Sequence, residues 1–257
     1  MPNVGEDDTS ARDVAARQRF SWLVAHALNG VTHSIVGALS LLSDAPEGEQ
    51  LTPRQRRLVD AAGVSAARLA QLNADILLLT HAEAHTLELL QERIVLTTLL
   101  RTAIEQAQTP LPPPAPRDIQ RRISAALPPL LCDPTLARRA LAAIIENALR
   151  FSPTDSPVRL EARKRRDRII IRVSSVGPSI APADAERIIE PLYVGARPAA
   201  AIGVGLGVGL GLAVARVCAE AHGGSLTLQQ TEQHIGESCV TFALELPLSP
   251  TGDDTSD

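Results

Sequence analysis

Aromatic side chains are almost missing from this 257-residue chain: three Phe, one Trp and one Tyr make up 2% of it. A core without them has to be built from Leu, Ile, Val and Ala, which suits packed helices and argues against an immunoglobulin-like sandwich. Binding of single-stranded nucleic acid needs aromatic platforms for the bases, so that class of function is excluded too. Cysteine is equally scarce. Cys132, Cys218 and Cys239 are odd in number, widely spaced and without a CxxC pair, so neither a disulfide framework nor a zinc site is indicated and a reducing cytoplasm is the simplest home. Positive charge is not in excess, and a net charge of -4 would repel a phosphate backbone at long range. Long hydrophobic runs are lacking as well. The single uncharged stretch of near-membrane length, between Arg197 and Arg216, carries Gly203, Gly205, Gly207, Gly209 and Gly211 at alternate positions, which suits a loop entering a helix and not a spanning helix. No membrane association is expected. Met1 to Arg19 is polar and reads as a flexible tail or the stub of an upstream linker, not a secretory leader.

What remains is 45% hydrophobic and 21% charged, the balance of one large or two modest globular domains. From Phe20 to Leu42 the apolar residues Leu28, Val31, Ile35, Ala38 and Leu42 recur in steps of three and four, as on a helix with one buried stripe. After a Pro-, Gly- and acid-bearing turn over 43–50, Thr52-Pro53-Arg54-Gln55 supplies an N-cap, a Pro at the first helical position and a capping-box partner. Leu58, Ala62, Leu69, Leu72, Ile76 and Leu79 then predict a second stripe. Residues 20–84 are thus expected to form a helical hairpin. Two helices bury too little by themselves, so a homodimer closing a four-helix bundle is expected.

After Ala84 the texture turns to mixed α and β. Alternating apolar residues predict strands at 159–162, 168–173 and 239–246. Helical patterns predict helices at about 95–108, 134–150, 182–189 and 210–221. The Pro-dense stretch 109–117 reads as a loop inside this second domain, which spans 85–249. The Gly, Thr, Ser and Asp tail over 250–257 is expected to be disordered.

Several segments carry candidate chemistry. His26 sits two residues before Leu28, off the apolar line and so facing solvent. Asn147 on the predicted 134–150 helix offers an amide oxygen suited to Mg²⁺, with Arg150 one turn on for phosphate charge. Gly207, Gly209 and Gly211 open the next helix, where backbone amides can approach phosphate oxygens at the positive helix end. These segments and their neighbours resemble the transmitter core of sensor histidine kinases. His26-Ala27-Leu28-Asn29-Gly30-Val31 with Gly37 and Leu41-Leu42 is similar to that family's phosphoacceptor segment. His33 is the internal competitor, placed too near Gly37 for the family spacing. Asp75 to Leu79 with Glu83-Ala84 and Leu87 to Leu89 resembles its second helix and junction. Asp133 to Leu136 leading to Ile145 to Ser152 resembles its asparagine box. Ile189 to Tyr193 is similar to the segment before the ATP lid, and Gly207 to Ala215 to the second glycine box.

The resemblance implies an α+β protein: a dimeric histidine-phosphotransfer hairpin followed by an α/β sandwich of the histidine kinase ATPase type. It also implies ATP and Mg²⁺ as ligands, His26 as phosphoacceptor, and a nucleotide site at Asn147, Arg150, Gly177, Gly207, Gly209 and Gly211. The partner it implies is a response regulator receiver domain. Departures fall on the chemistry. An acidic residue normally follows the phosphoacceptor, and here it is Ala27. The first asparagine of the box is Ala143. The aspartate that accepts from the adenine amino group is Ser175, in Ser175-Val176-Gly177-Pro178-Ser179. The lid from Tyr193 to Gly205 is short, with Arg197 its only charge. A phosphorelay protein exchanging phosphate between His26 and a receiver aspartate, with ATP use weak or lost, is therefore expected. An active ATP-dependent kinase and a non-catalytic dimeric scaffold are the alternatives.

Overall fold

The computed structural model describes residues 28, 30, 32–42, 51–108, 117–124, 127–193, 209–234 and 237–249. The chain divides into two compact units, Met1–Leu87 and Glu88–Asp257.

In the first unit, residues 32–42 form helix α1, with 28 and 30 also helical, and Pro53–Glu83 form α2. The α2 start is set by its sequence. The Thr52 hydroxyl accepts from the Gln55 N–H at 3.3 Å while the Gln55 side chain accepts from the Thr52 N–H at 2.9 Å, and Pro53 occupies the first turn where its missing N–H costs nothing. In the first half of α2 the covered side lies one residue beyond the expected stripe, while farther on Leu72 and Ile76 are half-buried and Leu79 is buried, as expected. Val59, Gly63, Ala66, Ala70 and Asn73 form the better-covered line, alternating steps of four and three, whereas Leu58 is 64% and Leu69 39% exposed. On α1, Thr32 is buried while Leu28, Ile35, Ala38 and Leu42 are exposed. The line is sheltered without being tight: a Cβ added at Gly63 or at Gly37 would meet nothing within 4 Å. A groove of about 470 Å³ opens between Val36, Leu39, Val59, Gly63 and Val64.

The second unit is a two-layer α+β sandwich. Its elements are β1 (Glu92–Ile94), α3 (Leu96–Gln108), β2 (Ile119–Ile123), β3 (Leu130–Cys132), α4 (Pro134–Phe151), β4 (Val158–Arg165), β5 (Arg168–Pro178), α5 (Pro182–Ala185), α6 (Gly211–Ala221), β6 (Ser225–His234) and β7 (Glu237–Pro247). A five-stranded sheet runs β2-β4-β5-β7-β6, parallel between β2 and β4 and antiparallel elsewhere, while β1 and β3 pair separately. The helices α3, α4 and α6 gather on one face. Residues 169, 171 and 173 of β5 bury Ile, Ile and Val there, in register with Leu246, Leu244 and Phe242 of β7. Fully buried Leu141, Ile144 and Ile145 of α4 close the core. Large aliphatic side chains carry this packing, as the poverty in aromatics requires.

The expected 182–189 helix divides in two, a single turn at α5 and a 3-10 turn at Arg187–Ile189. Neither piece has a side-chain cap or a buried residue to stabilise a longer helix. Strands β1, β2, β3 and β6 have no counterpart among the predicted strands. Three of the four hold only three to five residues or polar runs, such as Gln120-Arg121-Arg122, where alternation is invisible. A buried polar tie joins two helices: the Asp133 N–H donates to His222 Nε2 at 2.9 Å, which leaves Nδ1 to donate to the Cys218 carbonyl at 2.6 Å.

Candidate functional site

The site assembles around the C-terminal half of α4. Asp133 caps that helix, its carboxylate accepting from the Thr135 and Leu136 N–H groups at 3.0 Å, and Pro134 fills the first position. From this fixed start Ala143, Asn147 and Phe151 follow at intervals of four and share one face. Each end of that line meets a glycine. A Cβ at Gly211 would touch the Ala143 methyl at 3.5 Å, and one at Gly177 would stand 3.0 Å from the Phe151 carbonyl oxygen. Asn147 and Arg150, both half-buried, therefore lie on the stretch of α4 bracketed by β5 and by the start of α6. Gly209 has φ +74° and its missing Cβ would fall 2.6 Å from the Tyr193 carbonyl oxygen, so glycine is required there on both counts.

Helix α6 opens without help. Its N-cap is Leu210, which makes no side-chain cap bond, so the first N–H groups and the positive end of the helix are available to an anion. The contrast with the capped starts of α2 and α4 is plain.

The expected residues thus fall into two groups. Asn147, Arg150, Gly177, Gly209 and Gly211 are brought to one end of α4, while His26 and Gly207 lie outside the described residues. Ser175 stands on β5, 8% exposed, two residues before Gly177 on the helix-covered face. A hydroxyl is the only polar group it brings. Among the described residues no three His, Cys, Asp or Glu side chains converge as a metal site would need. The donor set accordingly fits a Mg²⁺ carried by a nucleotide's phosphates and held by the Asn147 amide oxygen, not a cation held by protein alone. The α6 start, without a side-chain cap, suits an anionic group such as a phosphate. The base end lacks its carboxylate.

Two features are absent from the sequence-based site. The Leu192 N–H donates to the Gly209 carbonyl at 3.1 Å, which ties residue 192 to residue 209 across the sequence between them. Beside it the Tyr193 hydroxyl donates to Asp184, which pushes the phenol pKa up, and the Arg187 guanidinium lies 4.3 Å over the tyrosine ring. The lone tyrosine of so aromatic-poor a chain was the available signal. Below α4, the Arg117 fork donates to Leu149 O at 2.6 Å, to Ser152 Oγ at 2.8 Å and to the carbonyls of Pro153 and Ser156, fastening the C-terminal end of the Asn147 helix. Burial lowers the Arg117 pKa. Only the fold reveals this role, since the contacts span 32 to 39 residues of sequence.

Residues 132–250 match the family of histidine kinase-, DNA gyrase B- and HSP90-like ATPases. The sensor-like histidine kinase SenX3 of Mycobacterium tuberculosis is 29% identical over 200 residues, covering 75% of this chain and 46% of that protein. The sensor protein SphS of Synechococcus elongatus is 30% identical over 247 residues, 92% of this chain and 56% of that one. The chain spans about half the length of these relatives. Among solved structures, full-length ShkA in complex with AMPPNP superposes with a TM-score of 0.65 at 25% identity, over 91% of this chain and 47% of that one. The Acinetobacter baumannii histidine kinase AdeS shares the fold, with a TM-score of 0.51 at 19% identity over 84% of this chain and 95% of that one.

Proposed function

We propose, for a chain that is a histidine kinase transmitter core with a GHKL-type ATPase domain, that it works in two-component signalling as a phosphorelay protein. In this reading an imidazole nitrogen of His26 attacks the phosphorus of a receiver's aspartyl phosphate. The acyl phosphate P–O bond breaks, the aspartate leaves as carboxylate, and the reverse step returns the phosphoryl group to a second receiver. ATP is used weakly or not at all.

One observation carries this reading. The framework of the nucleotide site is kept, with Gly177 and Gly211 seated against α4 and α6 left uncapped, while the buried position on β5 presents the neutral Ser175 hydroxyl. A charged hydrogen bond exchanged for a weak one lowers affinity by roughly ten- to a hundredfold. Ala27 beside His26 cannot act as a base, which handicaps attack on ATP. An acyl phosphate, being a more activated donor, needs that help less.

The dimer belongs to the same reading. Exposed Leu28, Ile35, Leu42, Leu58 and Leu69 give a single hairpin a large apolar surface, and pairing with a second copy buries it in a four-helix bundle. No helix among the described residues is long and apolar enough to cross a membrane, and a cytoplasmic place of action fits the three free cysteines.

The ATP-dependent kinase is the second reading, favoured by the likeness to ShkA, whose structure holds AMPPNP. Calorimetry with ATP and Mg²⁺ separates the two. Phosphorelay without ATP predicts no heat below millimolar nucleotide. Micromolar binding sinks it.

A further inference from the structure

Capping α4 is one of three tasks that fall to Asp133. Strands β1 and β3 pair as far as Glu92 opposite Cys132, and the chain turns into α4 directly afterwards, where the Asp133 carbonyl is taken by the Ala137 N–H at 2.9 Å. The carboxylate supplies the next rung instead. Its Oδ2 accepts from the Leu90 N–H at 3.1 Å while Oδ1 accepts from the Thr135 and Leu136 N–H groups. The Asp133 N–H goes a third way, to His222 Nε2 at the C-terminal end of α6. One buried residue therefore joins the start of α4, the end of α6 and Leu90, the third residue of the second unit.

Only an imidazole meets both demands of the His222 position. A backbone N–H can only donate, so Nε2 must be the bare nitrogen and Nδ1 carries the proton toward the Cys218 carbonyl, one of the last in α6. Apolar contact holds α6 elsewhere. Leu210 and Leu212 are buried near its start and Ala213, Ala215 and Ala219 along it, but burial of this kind is not directional. A Cβ at Gly211 would reach only ordinary contact with Ala143. Directed contacts gather at the other end. There Arg168 Nη1 donates to the Gly223 carbonyl at 3.2 Å, a Cβ at Gly224 would collide with the Glu245 carbonyl oxygen, and His222 holds the Asp133 N–H. The uncapped start that suits an anion lies the length of this 11-residue helix away, about 16 Å. A helix is stiff over that distance, so the contacts that set its C-terminal end also aim its start.

We propose that His222 is the positioning residue for the N-terminal end of α6, and that through Asp133 it couples that end to the backbone at Leu90. This role goes beyond the phosphorelay reading and holds whether or not ATP is used. Coupling is reciprocal, so an anion seated at the α6 start is felt where the chain enters the second unit.

Amide hydrogen exchange of the full chain without ligand, followed by NMR, tests this. The Val214 N–H donates to the Leu210 carbonyl at 2.9 Å, closing the first turn of α6, and reports on that end. Ile171 and Leu244, paired within the β5–β7 ladder, report on global opening. His222→Leu removes the tie, His222→Gln keeps an acceptor for the Asp133 N–H, and Asp133→Asn keeps a cap for α4 while giving up the acceptor for Leu90. Relative to Ile171 and Leu244, Val214 should exchange about fivefold faster or more in His222→Leu and in Asp133→Asn, and at close to the wild-type rate in His222→Gln. The wild-type nitrogen shifts of His222 should show a bare Nε2 and a protonated Nδ1. A Val214 rate that changes only in step with Ile171 and Leu244 reduces His222 to general stability and overturns the proposal. So does a Val214 rate unchanged in Asp133→Asn, a His222→Gln chain as fast as His222→Leu, or a ring protonated at Nε2. If His222→Leu does not fold, Asp133→Asn and the nitrogen shifts decide by themselves.

Discussion

Two side chains decide much of the chemistry. Ser175 tests the proposal that nucleotide use is weak. Ser175→Asp returns a carboxylate to a 8% exposed position, and the account predicts ATP affinity rising by roughly tenfold or more, the worth of one charge-assisted hydrogen bond. Calorimetry reads it, and unchanged affinity places the defect elsewhere. Cys132 sets a pH limit on the fold. Burial first, then Asp133 and Glu92, push its thiol from 9.0 up to about 12. The neutral thiol's contribution is complete below pH 9.0 and is lost as the pH climbs toward about 12. Urea titrations of wild type against Cys132→Ala should diverge over that window by up to about 1.4 kcal/mol per pH unit. Parallel curves would show that the thiol ionises alike in both states. At this scale Asn147, Gly177, Gly209 and Gly211 could be named as candidates from motif spacing alone, and the fold places them on α4, β5 and at the start of α6. Arg117 and the Tyr193–Asp184 pair could not, since each depends on a contact that only the tertiary fold makes.

Among the elements, helix starts were the most readable. Thr52, Pro53 and Gln55 for α2, and Asp133 with Pro134 for α4, satisfy local N–H groups and need no distant partner. The side of α2 turned to the rest of its unit was misread by one residue in the first half of the helix, while Leu79 of the expected stripe is buried. Leucines mark a stripe in sequence, yet over 59–70 the better-covered positions are Val59, Gly63, Ala66 and Ala70. The same line holds Asn73, buried at 1% with neither amide atom hydrogen-bonded. Removing such a group is favourable, so Asn73→Leu should raise hairpin stability by about 1 kcal/mol in chemical denaturation. A loss of stability would mean that leucine overpacks the line. Short polar strands such as β2 escape pattern reading because neither face is uniformly apolar. The Arg117 fork is an element-scale device, fastening α4 at its C-terminal end. Arg117→Met should cost about 2–3 kcal/mol by leaving several carbonyls unpaired, visible as a lowered Tm. A Tm equal to wild type would show the fork to be dispensable.

For the whole molecule, the scarcity of aromatics resolves into two architectures that need few of them: a leucine-faced helical hairpin and an aliphatic sandwich closed by Phe242 alone among its fully buried rings. In the proposed dimer a second copy covers the outward leucines. Leu58→Asp with Leu69→Asp should give monomers at micromolar concentration in sedimentation velocity while the second unit stays folded. A dimer that persists would move the interface elsewhere. The most direct test of the phosphorelay itself supplies phosphate by two routes, radiolabelled ATP with Mg²⁺ and a panel of radiolabelled phospho-receiver domains. The account predicts rapid label on the chain from a receiver and slow or no label from ATP, with His26→Ala unlabelled by either. Rapid labelling of His26 from ATP, or receiver-derived label that survives His26→Ala, would contradict it.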